Sequence, residues 1–133
     1  REKGWPVIKS AAEFWVSRVE RNGPGQYDIK NVIGANEWEE NIDNNAFTNA
    51  MAITTLRYAT EAADALSLTA DPDWAHVADN IPILKFADGT TRENATYEGV
   101  DIKQADVNLL AYPLGFYTDE DQIRKDLDYY TPR

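Results

Sequence analysis

Between Gly34 and Asn49 the chain carries four carboxylates and five amides in sixteen residues: Glu37, Glu39, Glu40 and Asp43 with Asn36, Asn41, Asn44, Asn45 and Asn49. Carboxyl groups take up and release protons, and amides donate and accept hydrogen bonds, so the stretch is equipped for acid–base work on a polar substrate. Glu37 is the first candidate. The ring of its neighbour Trp38 could dry its surroundings, and a carboxyl group in a partly apolar pocket keeps its proton to higher pH, as a general acid must. A solvated acidic loop at a helix N-terminus, where negative charge suits the helix dipole, is the plainer account of the same residues. A calcium loop fits less well, because the alternating oxygen ligands and central glycine of an EF-hand are missing.

Lys103, Gln104 and Asp106 form a second cluster. Adjacent long donors entering a helix could hydrogen-bond the vicinal hydroxyls of a sugar, while a surface lysine and amide on a solvated first turn are the alternative. His76, near Trp74, reads as a packed or exposed helical histidine more readily than as a catalyst. Asn94-Ala95-Thr96 fits an N-glycosylation acceptor, a pattern short enough to recur by chance.

Composition narrows the chemistry. A length of 133 residues suits one modest core and a single segment of architecture, and 13 Lys and Arg against 23 Asp and Glu give a net charge of −10. That charge repels polyphosphates, so nucleic acid is not an expected partner. No apolar run approaches the length of a membrane span. With no cysteine there is no thiolate metal site or thiol nucleophile, and one histidine leaves little scope for zinc or a serine triad. No metal site is expected. Arg1-Glu2-Lys3-Gly4-Trp5-Pro6 lacks the apolar core of a signal peptide.

The elements that must position these residues are mostly helical. Apolar spacing predicts a helix from Pro6 to about Arg21, stopped by Gly23-Pro24-Gly25, and then a short extended segment from Tyr27 to Ile33. Asn44 or Asn45 caps a long alanine-rich helix running to about Leu66. Asp71-Pro72 starts a short helix to about Asn80. A small hairpin is expected around Asp88-Gly89, a further helical pattern from Tyr97 through Leu110, and a last helix with Thr118 and Asp121 as a capping box.

The run from Gly34 to Asn49 resembles the G-P-D-E-Y-x-x-x-V-D-N-N-A-Y-T-N signature of glycoside hydrolase family 65, which includes acid trehalases, kojibiose hydrolase, related α-glucosidases and the phosphorylases of maltose, trehalose and kojibiose. Downstream, the run from Ile102 to Leu114 is similar to that family's K-Q-A-D-V-x-L-L-x-Y-P-L. The departures are Ala35 for Pro, Asn36 for Asp, Trp38 for Tyr, Ile42 for Val and Phe47 for Tyr. Together the motifs extend the resemblance over essentially the whole chain.

The resemblance implies a mainly α fold that is part of an (α/α)6 barrel, a six-hairpin toroid, with residues 1–133 an incomplete central piece of its catalytic domain. It implies an inverting α-glucoside-cleaving enzyme. Glu37 falls in the position of the general acid, and Lys103 and Gln104 in positions that bind the non-reducing glucose, with Trp38 beside them. Asn36, Asp43, Asn44 and Asn45 would be supporting residues. No cofactor is implied, although inorganic phosphate would be co-substrate in a phosphorylase releasing β-glucose 1-phosphate. The runs Tyr112–Phe116 and Asp126–Tyr130 look more like the trehalase and glucosidase branch, which favours hydrolysis. Expected partners are an α-linked glucose di- or oligosaccharide and the rest of the barrel; a homodimer and a periplasmic or secreted location stay open. The isolated 133 residues are expected to be inactive. A free-standing helical binding module is the rival from another class.

Overall fold

The computed structural model describes residues 3–132, and its elements are mainly helical. They divide into two compact units, one built from residues 1–28 and 51–81 and the other from residues 29–50 and 82–133.

The first unit opens with α1 (Gly4–Arg18), which carries Pro6 in its first turn, where the missing amide hydrogen costs nothing. Gly23 and Gly25, with φ of 68° and 79°, turn the chain between two short antiparallel strands, β1 (Glu20–Arg21) and β2 (Tyr27–Asp28). Asp28 closes that hairpin by accepting from Asn22 Nδ2 at 2.7 Å and Gln26 Nε2 at 2.8 Å. The extended segment expected from Tyr27 to Ile33 is therefore regular only in its first two residues. The long helix α2 (Ala46–Ala65) crosses the division, with residues 51–65 in this unit. α3 (Pro72–Asn80) has Pro72 at its start and the Asp71 side chain accepting from Asp73 N at 2.9 Å. Trp5 of α1 meets Trp74 of α3 with ring centroids 6.0 Å apart. His76 is exposed, its ring edge-on to Tyr27, which is a packing role.

In the second unit a core of Ala46, Ala50, Tyr97, Val107, Leu110 and Tyr130 is buried. Tyr97 and Tyr130 stack at 5.9 Å. The expected hairpin at Asp88-Gly89 is present in reduced form: Lys85 bridges Thr91, Phe86 N donates to Thr90 O, and Arg92 N donates to Leu84 O. The expected helix from Tyr97 is replaced by irregular chain, and only Asp106–Leu110 turns, as a 3-10 helix. The last helix, α4 (Glu120–Tyr130), is capped by Asp119, whose side chain accepts from Gln122 N at 2.7 Å, and not by Thr118. Asp119 stands one residue closer to the first turn and so reaches its free amide.

Candidate active site

All the candidate residues lie in the second unit. Residues 29–45 form a loop whose ends are tied: Ile29 N donates to Asn44 Oδ1 at 3.1 Å and Asn44 N returns a bond to Ile29 O at 2.8 Å. Val32 and Ile42 pair inside it through both amides, and Asn31 N donates to Asp43 Oδ1 at 2.9 Å. Three turns of this loop need left-handed backbone, and asparagine supplies it at Asn31, Asn41 and Asn44, with φ between 52° and 57°. Much of the amide richness of the stretch is thus structural.

Asn45 ends the loop and starts α2. Its Oδ1 accepts from both Thr48 N and Thr48 Oγ1 at 2.9 Å, an N-cap, while its Nδ2 donates to Asp106 Oδ2 at 2.7 Å. Asn49 Nδ2 donates to Pro82 O at 2.8 Å. A second segment clamps the loop from outside: Glu93 O accepts from Ala46 N, Ala95 N donates to Asp43 O, and Asn94 Nδ2 donates to Glu39 Oε2 at 2.7 Å. Asn94 is fully buried and its amide engaged, so the glycosylation pattern at that position is closed in the folded chain.

Asn36 and Asp106 join the two sequence motifs. Asn36 N donates to Asp106 Oδ1 at 2.7 Å, and Asn36 Oδ1 accepts from Lys103 N at 3.2 Å. Gly34 passes so close that a Cβ built on it would stand 2.0 Å from Asp106 Oδ2 and 2.5 Å from Asn45 Nδ2. Only glycine fits.

From this base Glu37 and Trp38 project outward, with Trp38 67% exposed. Lys103 Nζ donates to Glu37 Oε2 at 2.7 Å, and the two side chains are 42% and 68% exposed. The lysine hydrogen bond and charge hold the Glu37 carboxyl below its ordinary pKa. The drying effect expected of Trp38 is absent here because the ring faces solvent. Gln104 is exposed beside Lys103. Glu37, Lys103 and Gln104 are therefore gathered on one surface of the unit, whereas Asn36, Asn44 and Asn45 are buried beneath it and Asp43 is half-buried.

Two buried carboxyl groups underlie that surface. Glu93, with no exposed area, accepts from Asp106 N at 3.1 Å and Val107 N at 3.4 Å, which caps the start of the 3-10 helix. Burial, with Asp106 nearby, pushes its pKa up to about 8. Burial also raises Asp106, against the opposing bonds from Asn45, Asn36 and the Ala35 amide. Glu93 was not visible as a candidate in the sequence, since Arg92-Glu93-Asn94 has the composition of a polar surface turn.

A family profile described as the central catalytic domain of glycosyl hydrolase family 65 matches residues 1–81. A kojibiose hydrolase of Mucilaginibacter mallensis is 65% identical over 133 residues, which is 100% of this chain and 20% of that protein. A kojibiose hydrolase of Flavobacterium johnsoniae is 55% identical over 130 residues, covering 98% of this chain and 19% of that protein. The chain thus spans about a fifth of the length of these curated relatives. Among solved structures, one from the human microbiome, provisionally named a kojibiose phosphorylase, superposes with a TM-score of 0.83 at 17% identity, over 98% of this chain and 24% of that one. At that identity the likeness speaks to the mainly helical fold.

Proposed function

Because the chain belongs to glycosyl hydrolase family 65, we propose that the intact protein hydrolyses an α-linked glucose disaccharide, kojibiose foremost, with inversion at the anomeric carbon. Its helices belong to an (α/α)6 barrel whose remainder completes the sugar site. Glu37 is the general acid, Lys103 and Gln104 hold the non-reducing glucose, and Trp38 offers an exposed ring to a sugar face. Asn36, Asp43, Asn44 and Asn45 support this surface from below. The observation that carries the reading is the 2.7 Å contact between Lys103 Nζ and Glu37 Oε2, which unites the two motifs on one surface. Identity to two kojibiose hydrolases supports the substrate and the hydrolytic branch.

In the reaction Glu37 protonates the glycosidic oxygen as the bond breaks, and water attacks the opposite face of the glucose, activated by a second carboxylate roughly 6.5–9.5 Å away. Glu93 and Asp106 are unsuited to that second role, since neither has exposed surface with which to meet water or sugar. The ion pair bears on the first step. While Lys103 holds Glu37, the carboxyl is biased toward its ionised form. A glucose hydroxyl that engages Lys103 removes that bias and lets Glu37 carry the proton it must donate.

The test is made on the intact enzyme with kojibiose, with and without inorganic phosphate. Glucose release independent of phosphate, with β-glucose as the first product by NMR, is expected; formation of glucose 1-phosphate only with phosphate present would move the protein to the phosphorylase branch. Glu37→Gln should abolish kojibiose cleavage yet spare α-glucosyl fluoride, whose leaving group needs no proton. Kojibiose cleavage near wild type in that variant would remove Glu37 from the role.

A further inference from the structure

We propose that Asp106 is a positioning residue that fixes Glu37 relative to Lys103 from beneath the surface. The inference rests on the assignment of Glu37 as acid and names the device that aims it. Asp106 cannot touch substrate, because it has no exposed area. Its two oxygens are nevertheless committed in different directions: Oδ1 accepts from Asn36 N at 2.7 Å and Oδ2 from Asn45 Nδ2 at 2.7 Å. Asn36 is the residue before Glu37, and its Oδ1 accepts from Lys103 N, three residues before Asp106. The result is a closed ring from Asp106 to Asn36 to Lys103 and back along the chain. Both members of the exposed ion pair are attached to it.

Asn45 anchors the ring to the first turn of α2, and Glu93 fixes it from the other side by accepting from Asp106 N. The absence of a Cβ at Gly34 leaves space for the ring to close. A carboxylate is required at position 106 because both of its oxygens face donors. An asparagine would turn an amide toward either Asn36 N or Asn45 Nδ2 and lose one of the bonds, at nearly unchanged shape.

Asp106→Asn in the intact enzyme is therefore expected to lower kcat on kojibiose by on the order of 10- to 100-fold, since small misplacements of a catalytic group are costly, while α-glucosyl fluoride is affected less. The paired variant Asn45→Asp/Asp106→Asn restores the bond with donor and acceptor exchanged and keeps an acceptor for Thr48, losing only the long 3.4 Å bond from Asn45 Nδ2 to Glu93 O, and should recover most of kcat. Wild-type kcat on kojibiose in Asp106→Asn, or a folded paired variant that stays as slow as the single one, would overturn the proposal. Glu37→Gln serves as the separate control: if it cleaves kojibiose normally, the catalytic reading itself fails whatever Asp106 does. Should neither Asp106 variant fold, amide hydrogen exchange of the wild-type protein decides. Shared protection of the Asn36 and Lys103 amides well above that of Glu40 supports the ring, and exchange of Asn36 as fast as a free loop amide refutes it.

Discussion

Lys103 Nζ stands 2.7 Å from Glu37 Oε2, a contact made across 66 residues of chain. The lysine favours the ionised carboxylate and so lowers the fraction of Glu37 that can donate a proton at a given pH. In the intact enzyme Lys103→Met should therefore raise the pKa of Glu37 and move the alkaline limb of the kcat/KM profile to higher pH. On the proposed role of Lys103 in holding the glucose, KM for kojibiose should rise as well. An alkaline limb that stays in place would mean that the ion pair does not govern the acid.

Gly34 is the tightest point beneath the site. A methyl group there meets Asp106 Oδ2 at 2.0 Å and Asn45 Nδ2 at 2.5 Å, and both atoms belong to buried, mutually bonded side chains that have nowhere to move. Gly34→Ala should cost about 2 kcal/mol or more in unfolding free energy. Chemical denaturation of the wild type and variant checks this; a difference within about 0.5 kcal/mol would show that the loop has slack.

Local chemistry made part of this arrangement readable before the fold was known. Asn45 and Asp71 with Pro72 act on backbone groups only a few residues away, and the structure finds them capping as expected. Gly23-Pro24-Gly25, by contrast, turns a hairpin instead of stopping α1, which ends at Arg18, short of the expected Arg21. The ring around Asp106 depends on partners 13 to 70 residues distant, which spacing does not reveal. The same distant partners explain why no helix forms from Tyr97. Lys103 N is taken by Asn36 Oδ1, the Asp106 and Val107 amides are taken by Glu93, and Gly99 adopts φ of 94°. Helical periodicity there reflects burial of Tyr97, Ile102, Val107 and Leu110 from irregular chain.

Asn45 performs two separable tasks, and substitution can divide them. Asn45→Ala removes the acceptor for Thr48 N and the donor to Asp106 Oδ2 together. Asn45→Ser retains an N-cap but leaves Asp106 Oδ2 without its amide. The serine variant should recover about 1 kcal/mol of the loss, the usual worth of a cap. The remainder measures the two bonds that Nδ2 donates, to Asp106 Oδ2 at 2.7 Å and to Glu93 O at 3.4 Å. Equal stability of the two variants would show that capping of α2 by Asn45 contributes little.

Glu93 gives the protein a pH dependence whose sign follows from burial. Its folded pKa is raised to about 8 from an ordinary 4.5, so the folded chain holds a proton that the unfolded chain has already released across that interval. Stability from this group is complete below about pH 4.5, falls as pH rises, and stops falling above about 8. Asp106, also raised, adds to the same trend. Glu93→Gln removes the titration while its carbonyl can still accept from Asp106 N, although the amide then opposes Val107 N. The variant should be less stable than wild type near pH 5 and gain on it toward pH 8, by roughly 1–3 kcal/mol across the range. Denaturant titrations at pH 5, 6.5 and 8 make the comparison. Parallel curves for the two proteins would show that Glu93 is ionised in the fold throughout, and that its two backbone donors outweigh its burial.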